Sequence, residues 1–233
     1  VGVSLKLADL RTHTATGPNY VFSNYALKSG FNVIQITTDG LGYIDYSTDN
    51  PDVVDPVKVH IAKGGTVNGI YNLATDSRTD WIEAVNTNTS YSQIDLRGKY
   101  VSLLFDKTLL KKYNPANIEP LVNTYDSIVK IQFNMMGIYK HNIKFSNTLF
   151  ALGHNMGGLY AGGLGMHFDY SWGEANYVSV NGVLNGDIWG VAHEIGHINQ
   201  ARPSLKWAGM TEVSNNIFST YTEYTMGVNK GLN

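Results

Sequence analysis

The chain has 233 residues, 43% of them hydrophobic and 15% charged, and a formal net charge of -2. That is enough apolar material for a sizeable core, and the charge balance excludes the basic field that neutralises phosphates or anionic lipid head groups, so neither nucleic acid nor a membrane surface is expected as a partner. There is no cysteine, which rules out disulfides, thiol catalysis and thiolate-bound zinc and leaves His and carboxylates to hold any transition metal. No apolar run approaches the roughly 20 residues that span a bilayer, and the first residue is Val1 with no basic n-region, so the chain reads as a processed or trimmed piece of a longer protein.

Residues 1–75 carry short β-type runs at 31–38, 41–46 and 57–61, separated by Asp39-Gly40, by Asp49-Asn50-Pro51-Asp52 and, further on, by Lys63-Gly64-Gly65. Apolar alternation between such turn signals predicts antiparallel strands, with Asp39-Gly40 as a hairpin turn. The N-terminal part is expected to be β-sandwich-like. After Asp76 the period changes: Trp81, Ile82 and Val85 follow capping-type Ser and Asp residues, which predicts a helix over 77–85. A buried strand is expected over 100–105. Ile118, Leu121, Val122, Tyr125, Ile128, Val129 and Gln132 then recur at helical spacing within 117–139, with Pro120 in the first turn.

From 153 to 190 glycine is frequent and aromatics are interleaved, which predicts loops and an edge strand in place of helix. The stretch lacks the Gly-Lys-Ser/Thr ending of a phosphate loop. Two helices close the chain, one over about 187–200 stopping before Pro203 and one over about 210–226 stopping at Gly227. The expected fold class is α+β, with a β-rich part over 1–75 and a second domain over 76–233.

Within the first of these closing helices stands His193-Glu194-Ile195-Gly196-His197. Residues four apart on a helix differ by about 40° in direction, so both imidazoles leave one face a turn apart and can bind one metal ion. Glu194 then lies beside the open coordination position, where its carboxylate can take a proton from water. Val191, Ala192, Ile195 and Ile198 surround the motif, an apolar setting in which unpaired His and Glu would be costly. Zinc suits such imidazole and carboxylate ligands, and a catalytic zinc wants a third protein ligand. Glu212 is the better candidate because it sits near the start of the last helix, which can fold back on the His pair after the turn through Arg202-Pro203 and Ala208-Gly209. Glu223, three turns further on, reads as an ordinary solvated glutamate, and His154, His167 and Asp169 are weaker ligand candidates upstream.

The motif, followed by Trp207-Ala208-Gly209-Met210-Thr211-Glu212-Val213-Ser214-Asn215-Asn216-Ile217, resembles the M60 (enhancin-like) peptidases. Asp95-Leu96-Arg97-Gly98-Lys99-Tyr100-Val101, Tyr160-Ala161-Gly162-Gly163 and the region 57–71 support the resemblance. It implies a gluzincin-type zinc metallopeptidase domain with one zinc ion on His193, His197 and Glu212 and Glu194 as general base. It further implies a secreted or cell-surface protein that cleaves mucins and other O-glycosylated proteins, with additional domains in the parent protein. In gluzincins an edge strand upstream of the zinc helix pairs with the extended substrate; residues 162–170, including Gly163, are placed to be that strand here.

An oxyanion donor is expected among Tyr221 and Tyr224 on the last helix, or His167 and Tyr170 upstream. Trp172 and Tyr177 beside Asn176 are suited to stack on a sugar and bond its hydroxyls. Two rival readings stand beside the peptidase: a non-catalytic glycan- or protein-binding module with a structural metal, and a zinc hydrolase of a non-peptide bond. An intact Glu194 argues against the first, since a structural site needs no general base.

Overall fold

The computed structural model describes residues 2–9, 13–14, 17–18, 21–37, 40–46, 48, 53–66, 68–87, 91–143, 149–154, 158–162, 165–201 and 205–228. The chain forms two compact units, Val1–Asn68 with Thr89–Tyr91, and Gly69–Asn88 with Ser92–Asn233. In the first unit β1 (Val3–Asp9) is central, flanked antiparallel by β4 (Val21–Leu27) and β5 (Leu41–Tyr46). The two-residue strands β2 (His13–Thr14) and β3 (Gly17–Pro18) form a separate ladder. Leu7 and Leu41 are buried, and Lys6 on β1 pairs with Asp45 on β5.

Two strands expected here are absent. Residues 31–37 and 57–61 lie outside any strand, and Phe31 is 87% exposed. Their alternation is compatible with β structure, but a strand forms only where a neighbour takes up its backbone donors and acceptors, and among the described residues neither segment has such a neighbour. The whole Asp49-Asn50-Pro51-Asp52 turn and Asp39 of the hairpin signal lie outside the described residues.

The second unit is built on a six-stranded mixed sheet in the order β10-β11-β9-β8-β7-β6. Its strands are β6 (Ile70–Asn72), β7 (Gln93–Arg97), β8 (Val101–Asp106), β9 (Leu149–His154), β10 (Tyr160–Gly162) and β11 (Gly165–Asp169). The pairs β6/β7, β8/β9 and β9/β11 are parallel, while β7/β8 and β10/β11 are antiparallel. The glycine-rich stretch therefore supplies interior strands as well as an edge, together with a short helix α4 (Ala175–Val178) and a π-helical turn at Gly182–Gly186. The edge is β10. β11, to which most of residues 162–170 belong, lies between β10 and β9.

Helix α1 (Arg78–Asn86) starts with a capping box in which Ser77 and Asp80 satisfy each other's backbone N–H groups. Its Trp81 is fully buried and donates its indole N–H to Asn114 O, 2.8 Å away, just after α2 (Lys107–Tyr113). Helix α3 (Glu119–Met135) presents Leu121, Val122, Tyr125, Ile128 and Val129 to the core, where Tyr125 meets Phe105 of β8 edge-on and Phe105 meets Phe168 of β11. The buried carboxylate of Asp126 on α3 accepts the backbone N–H groups of Lys99 and Tyr100 at the β7–β8 turn, at 2.7 and 2.8 Å. A Cβ at Gly98 would stand 2.6 Å from that carboxylate, so only glycine permits the approach.

Helix α5 (Ile188–Asn199) is buried along Ile188, Val191, Ala192 and Ile195. Asp187 caps its first turn by accepting the Gly190 N–H at 3.1 Å. Gln132 of α3 donates to Ala192 O and accepts from Asn199, each at 2.8 Å, which locks α5 against α3. Helix α6 (Thr211–Met226) packs on α5 and ends at Gly227 in the left-handed region, φ 70. Among the described residues no helix is long and apolar enough to cross a membrane.

Candidate active site

Helix α5 sends the side chains of His193 and His197 from one face, with ring centroids 4.6 Å apart and planes at 89°. Glu212, in the first turn of α6, closes the group. Its Oε2 lies 3.1 Å from His193 Nε2 and 2.9 Å from His197 Nε2. One ligand atom from each residue falls within 4.8 Å of the others, so two imidazole nitrogens and one carboxylate oxygen converge on one point. That donor set and spread fit a single divalent ion.

The side chains differ in exposure. Both imidazoles are mostly buried, whereas the Glu212 side chain is 75% exposed. The imidazoles, His193 foremost, hold the Glu212 carboxyl below the ordinary glutamate range. His193 stacks on the indole of Trp189 one turn earlier, with centroids 4.8 Å apart, and its backbone carbonyl accepts from Asn215 Nδ2 at 2.6 Å. Its Nδ1 is buried with no hydrogen-bond partner among the described residues. Burial pushes the Glu194 carboxyl up, Glu212 adds to the rise, and the two imidazoles and a backbone N–H bond from Ala161 of β10 oppose it. The edge strand β10 packs against α5, the helix that carries this carboxylate.

The close fit of α5 to α6 depends on Gly196, where a Cβ would stand 2.5 Å from Asn215 Oδ1 and 2.8 Å from Phe218 Cβ. Gln200, at the end of α5, reaches Thr211 O at 2.9 Å and His197 Nδ1 at 3.4 Å. Sequence reasoning missed Trp189, Gly196, Gln200 and Asn215. A glycine in mid-helix is a signal of close helix approach, but the two amides gain meaning only once α6 is known to lie across α5.

The remaining expected site residues are placed as follows. Gly163 lies outside the described residues. His167 is buried and stacks flat on Tyr160 of β10, centroids 4.7 Å apart. Asp169 is buried, and its carboxylate accepts the Ser171 N–H at 2.8 Å. The Tyr170 hydroxyl accepts the Asp106 backbone N–H from 2.9 Å, and burial raises its pKa. Tyr177 is buried against Phe168 and is a packing residue. Trp172 is 63% exposed.

Tyr221 and Tyr224 line an open groove with Asn216, Ile217 and Thr220. Nine residues at 100° and 1.5 Å each put Tyr221 about 13 Å along α6 and on the side opposite Glu212. Glu223 is buried, at 2% exposure, which corrects its reading as a solvated residue.

No curated protein sequence matches the chain. Among solved structures it is similar to a metallopeptidase from Bacteroides thetaiotaomicron, at 27% identity and TM-score 0.81 over 97% of this chain and 39% of that one. It is also similar to a metallopeptidase in complex with Tn antigen, at 28% identity and TM-score 0.84 over 99% of this chain and 43% of that one. The catalytic module of the metalloprotease ZmpA from Clostridium perfringens shares the fold, at 17% identity and TM-score 0.74 over 97% of this chain and 48% of that one. The chain thus spans less than half the length of each. The profile of the family described as peptidase M60, enhancin and enhancin-like matches residues 65–231, and the chain belongs to that family.

Proposed function

We propose that the chain is the metal-binding catalytic region of a zinc-dependent endopeptidase that hydrolyses peptide bonds in mucin-type O-glycosylated proteins. The observation that carries the reading is the convergence of His193 Nε2, His197 Nε2 and Glu212 Oε2, with Glu194 next to the first histidine on the same helix. His193, His197 and Glu212 would hold one zinc ion. When bound, zinc supplies a Lewis acid that polarises the scissile carbonyl and makes water easier to deprotonate.

Glu194 takes the proton from the attacking water and returns it to the leaving amine. Partial burial raises the proton affinity of this carboxylate, which favours proton capture. Because β10 is an edge strand of the sheet and packs against α5, an extended substrate backbone would run along it, beside Glu194. The Tn antigen bound by one similar metallopeptidase supports a glycosylated substrate, and Trp172 offers an exposed aromatic surface for a sugar. A mucin-type substrate in turn supports a secreted or cell-surface parent protein with further domains.

The test is digestion of an O-glycosylated mucin, with and without a chelator and after enzymatic removal of the O-glycans. Cleavage should require metal and glycan and should vanish in Glu194→Ala while zinc stays bound. Undiminished cleavage by Glu194→Ala would sink the mechanism, and equal cutting of the stripped polypeptide would remove the glycan from it.

A further inference from the structure

Gln200 leaves the end of α5 with its backbone N–H still bonded to Gly196 O at 2.8 Å, which keeps its side chain against the last helical turn. That side chain is buried and lies between two functional elements. Its Nε2 is 2.9 Å from Thr211 O and 3.3 Å from Ser214 Oγ, and its Oε1 is 3.4 Å from His197 Nδ1.

These contacts permit one proton arrangement. The Thr211 carbonyl can only accept, so it must face the amide NH2 of Gln200. The Ser214 hydroxyl donates to Met210 O at 3.0 Å, so it too meets Gln200 as an acceptor. Both fix the amide orientation, which places Oε1 against His197. An amide oxygen only accepts, so His197 Nδ1 must carry the hydrogen. In the neutral ring the free lone pair is then on Nε2, the atom aimed at Glu212 Oε2 from 2.9 Å.

From this geometry we infer that Gln200 is a positioning residue of the metal site. Through one amide, the backbone carbonyl next to Glu212 sets the tautomer and orientation of His197, so that the second and third ligands are organised by a single side chain. His193 is held by a different device, the stacked Trp189 ring. The inference rests on the metal reading given above, and the two can fail separately.

The experiment measures zinc affinity by chelator competition and the melting temperature of the metal-free protein for wild type, Gln200→Met and Gln200→Glu. It adds the ring N–H resonance of His197 in the zinc-loaded proteins. Gln200→Met keeps the length but loses every hydrogen bond, and it should bind zinc about 10- to 100-fold more weakly, the range for loss of a partner to a ligating imidazole. Gln200→Glu still accepts from Nδ1–H but turns an acceptor toward the Thr211 carbonyl. It should melt at or below the Gln200→Met temperature and yet bind zinc more tightly than Gln200→Met, with the His197 Nδ1–H resonance retained in Gln200→Glu and lost in Gln200→Met.

A role confined to gluing α5 to α6 would instead make zinc affinity follow stability. Wild-type affinity in Gln200→Met, or affinity in Gln200→Glu no better than in Gln200→Met, would overturn the inference. If Gln200→Met does not fold, absence of the His197 resonance in Gln200→Glu would do so alone. Failure of the wild type to bind zinc would refute the metal reading instead.

Discussion

Gly196 occupies a position inside the motif that is neither ligand nor base, and replacing it with alanine tests how the site is assembled. The new Cβ would meet Phe218 Cβ at 2.8 Å and Asn215 Oδ1 at 2.5 Å. Carbon atoms need roughly 3.5 Å, so α6 must retreat by about 0.7 Å at Phe218, because a Cβ cannot move without its backbone. Asn215 would be displaced from its bond to His193 O, at a cost of about 1 kcal/mol. Overpacking adds about 1–3 kcal/mol, and alanine returns about 1 kcal/mol of helix propensity. The net destabilisation is about 1–3 kcal/mol, or roughly 2–12 °C in melting temperature for a chain of this size. Since α6 carries Glu212, the same retreat opens the three-donor cluster, and zinc affinity should fall as well. Calorimetry of the metal-free protein and chelator competition read the two effects. Wild-type melting and wild-type zinc affinity in Gly196→Ala would show that α6 is not held where the reasoning needs it.

Glu212→Ala should sharply reduce zinc content with little loss of metal-free stability, because its side chain is exposed. Glu223→Ala should do the reverse, because Glu223 is buried; metal analysis and melting curves separate the two, and the opposite pattern would reassign the third ligand. Glu194 has a folded pKa raised by burial, so its favourable contribution to folding is present below the unfolded value and lost as pH rises through the folded one. Glu194→Gln should therefore raise the melting temperature of the metal-free protein at about pH 8 and lose that advantage near pH 4, below the ordinary glutamate value; a pH-independent difference would contradict the shift. Asp126→Ala leaves the Lys99 and Tyr100 N–H groups at the β7–β8 turn without their acceptor and should cost about 1–3 kcal/mol in denaturant unfolding. Zinc affinity should be unchanged, and a loss there would mean the turn communicates with the site.

Helices α1, α3, α5 and α6 were legible because their signals are local, whereas the short helices α2 and α4 were not. The Ser77 and Asp80 capping residues announce α1, the three-to-four apolar spacing around Tyr125 announces α3, and Gly227 ends α6 where expected. Strands were harder, because alternation specifies only one partner of a ladder. The run through Phe31 and Val33 has the pattern and forms no strand, while Tyr160–Gly162, with no pattern at three residues, forms the edge of the six-stranded sheet. The grouping of His193 with His197 follows from helical period alone. Their proximity to Glu212 required the further supposition that the last helix folds back, and what fixes that fold-back, Gly196 against Phe218 and Asn215 against the His193 carbonyl, is written in residues that look ordinary in one dimension.

The three donors are held by unlike means, and this bears on how the site would work. His193 and His197 are fixed by packing: α5 is buried on α3 and the sheet, Trp189 covers one ring, and Gln200 meets the other. Glu212 comes from the solvent side and is held mainly by its attraction to the imidazoles. A metal entering from that side meets two ligands whose rotamer entropy is already lost and one whose side chain must still be ordered. Changes to the helix interface should therefore alter the metal-free protein and its metal affinity together, as argued for Gly196. Changes to Glu212 itself should act on metal affinity with little effect on folding. Because the edge strand β10 packs against the same helix, an extended chain lying along β10 would meet the base and the metal-type cluster on one surface, which is the spatial requirement of peptide hydrolysis.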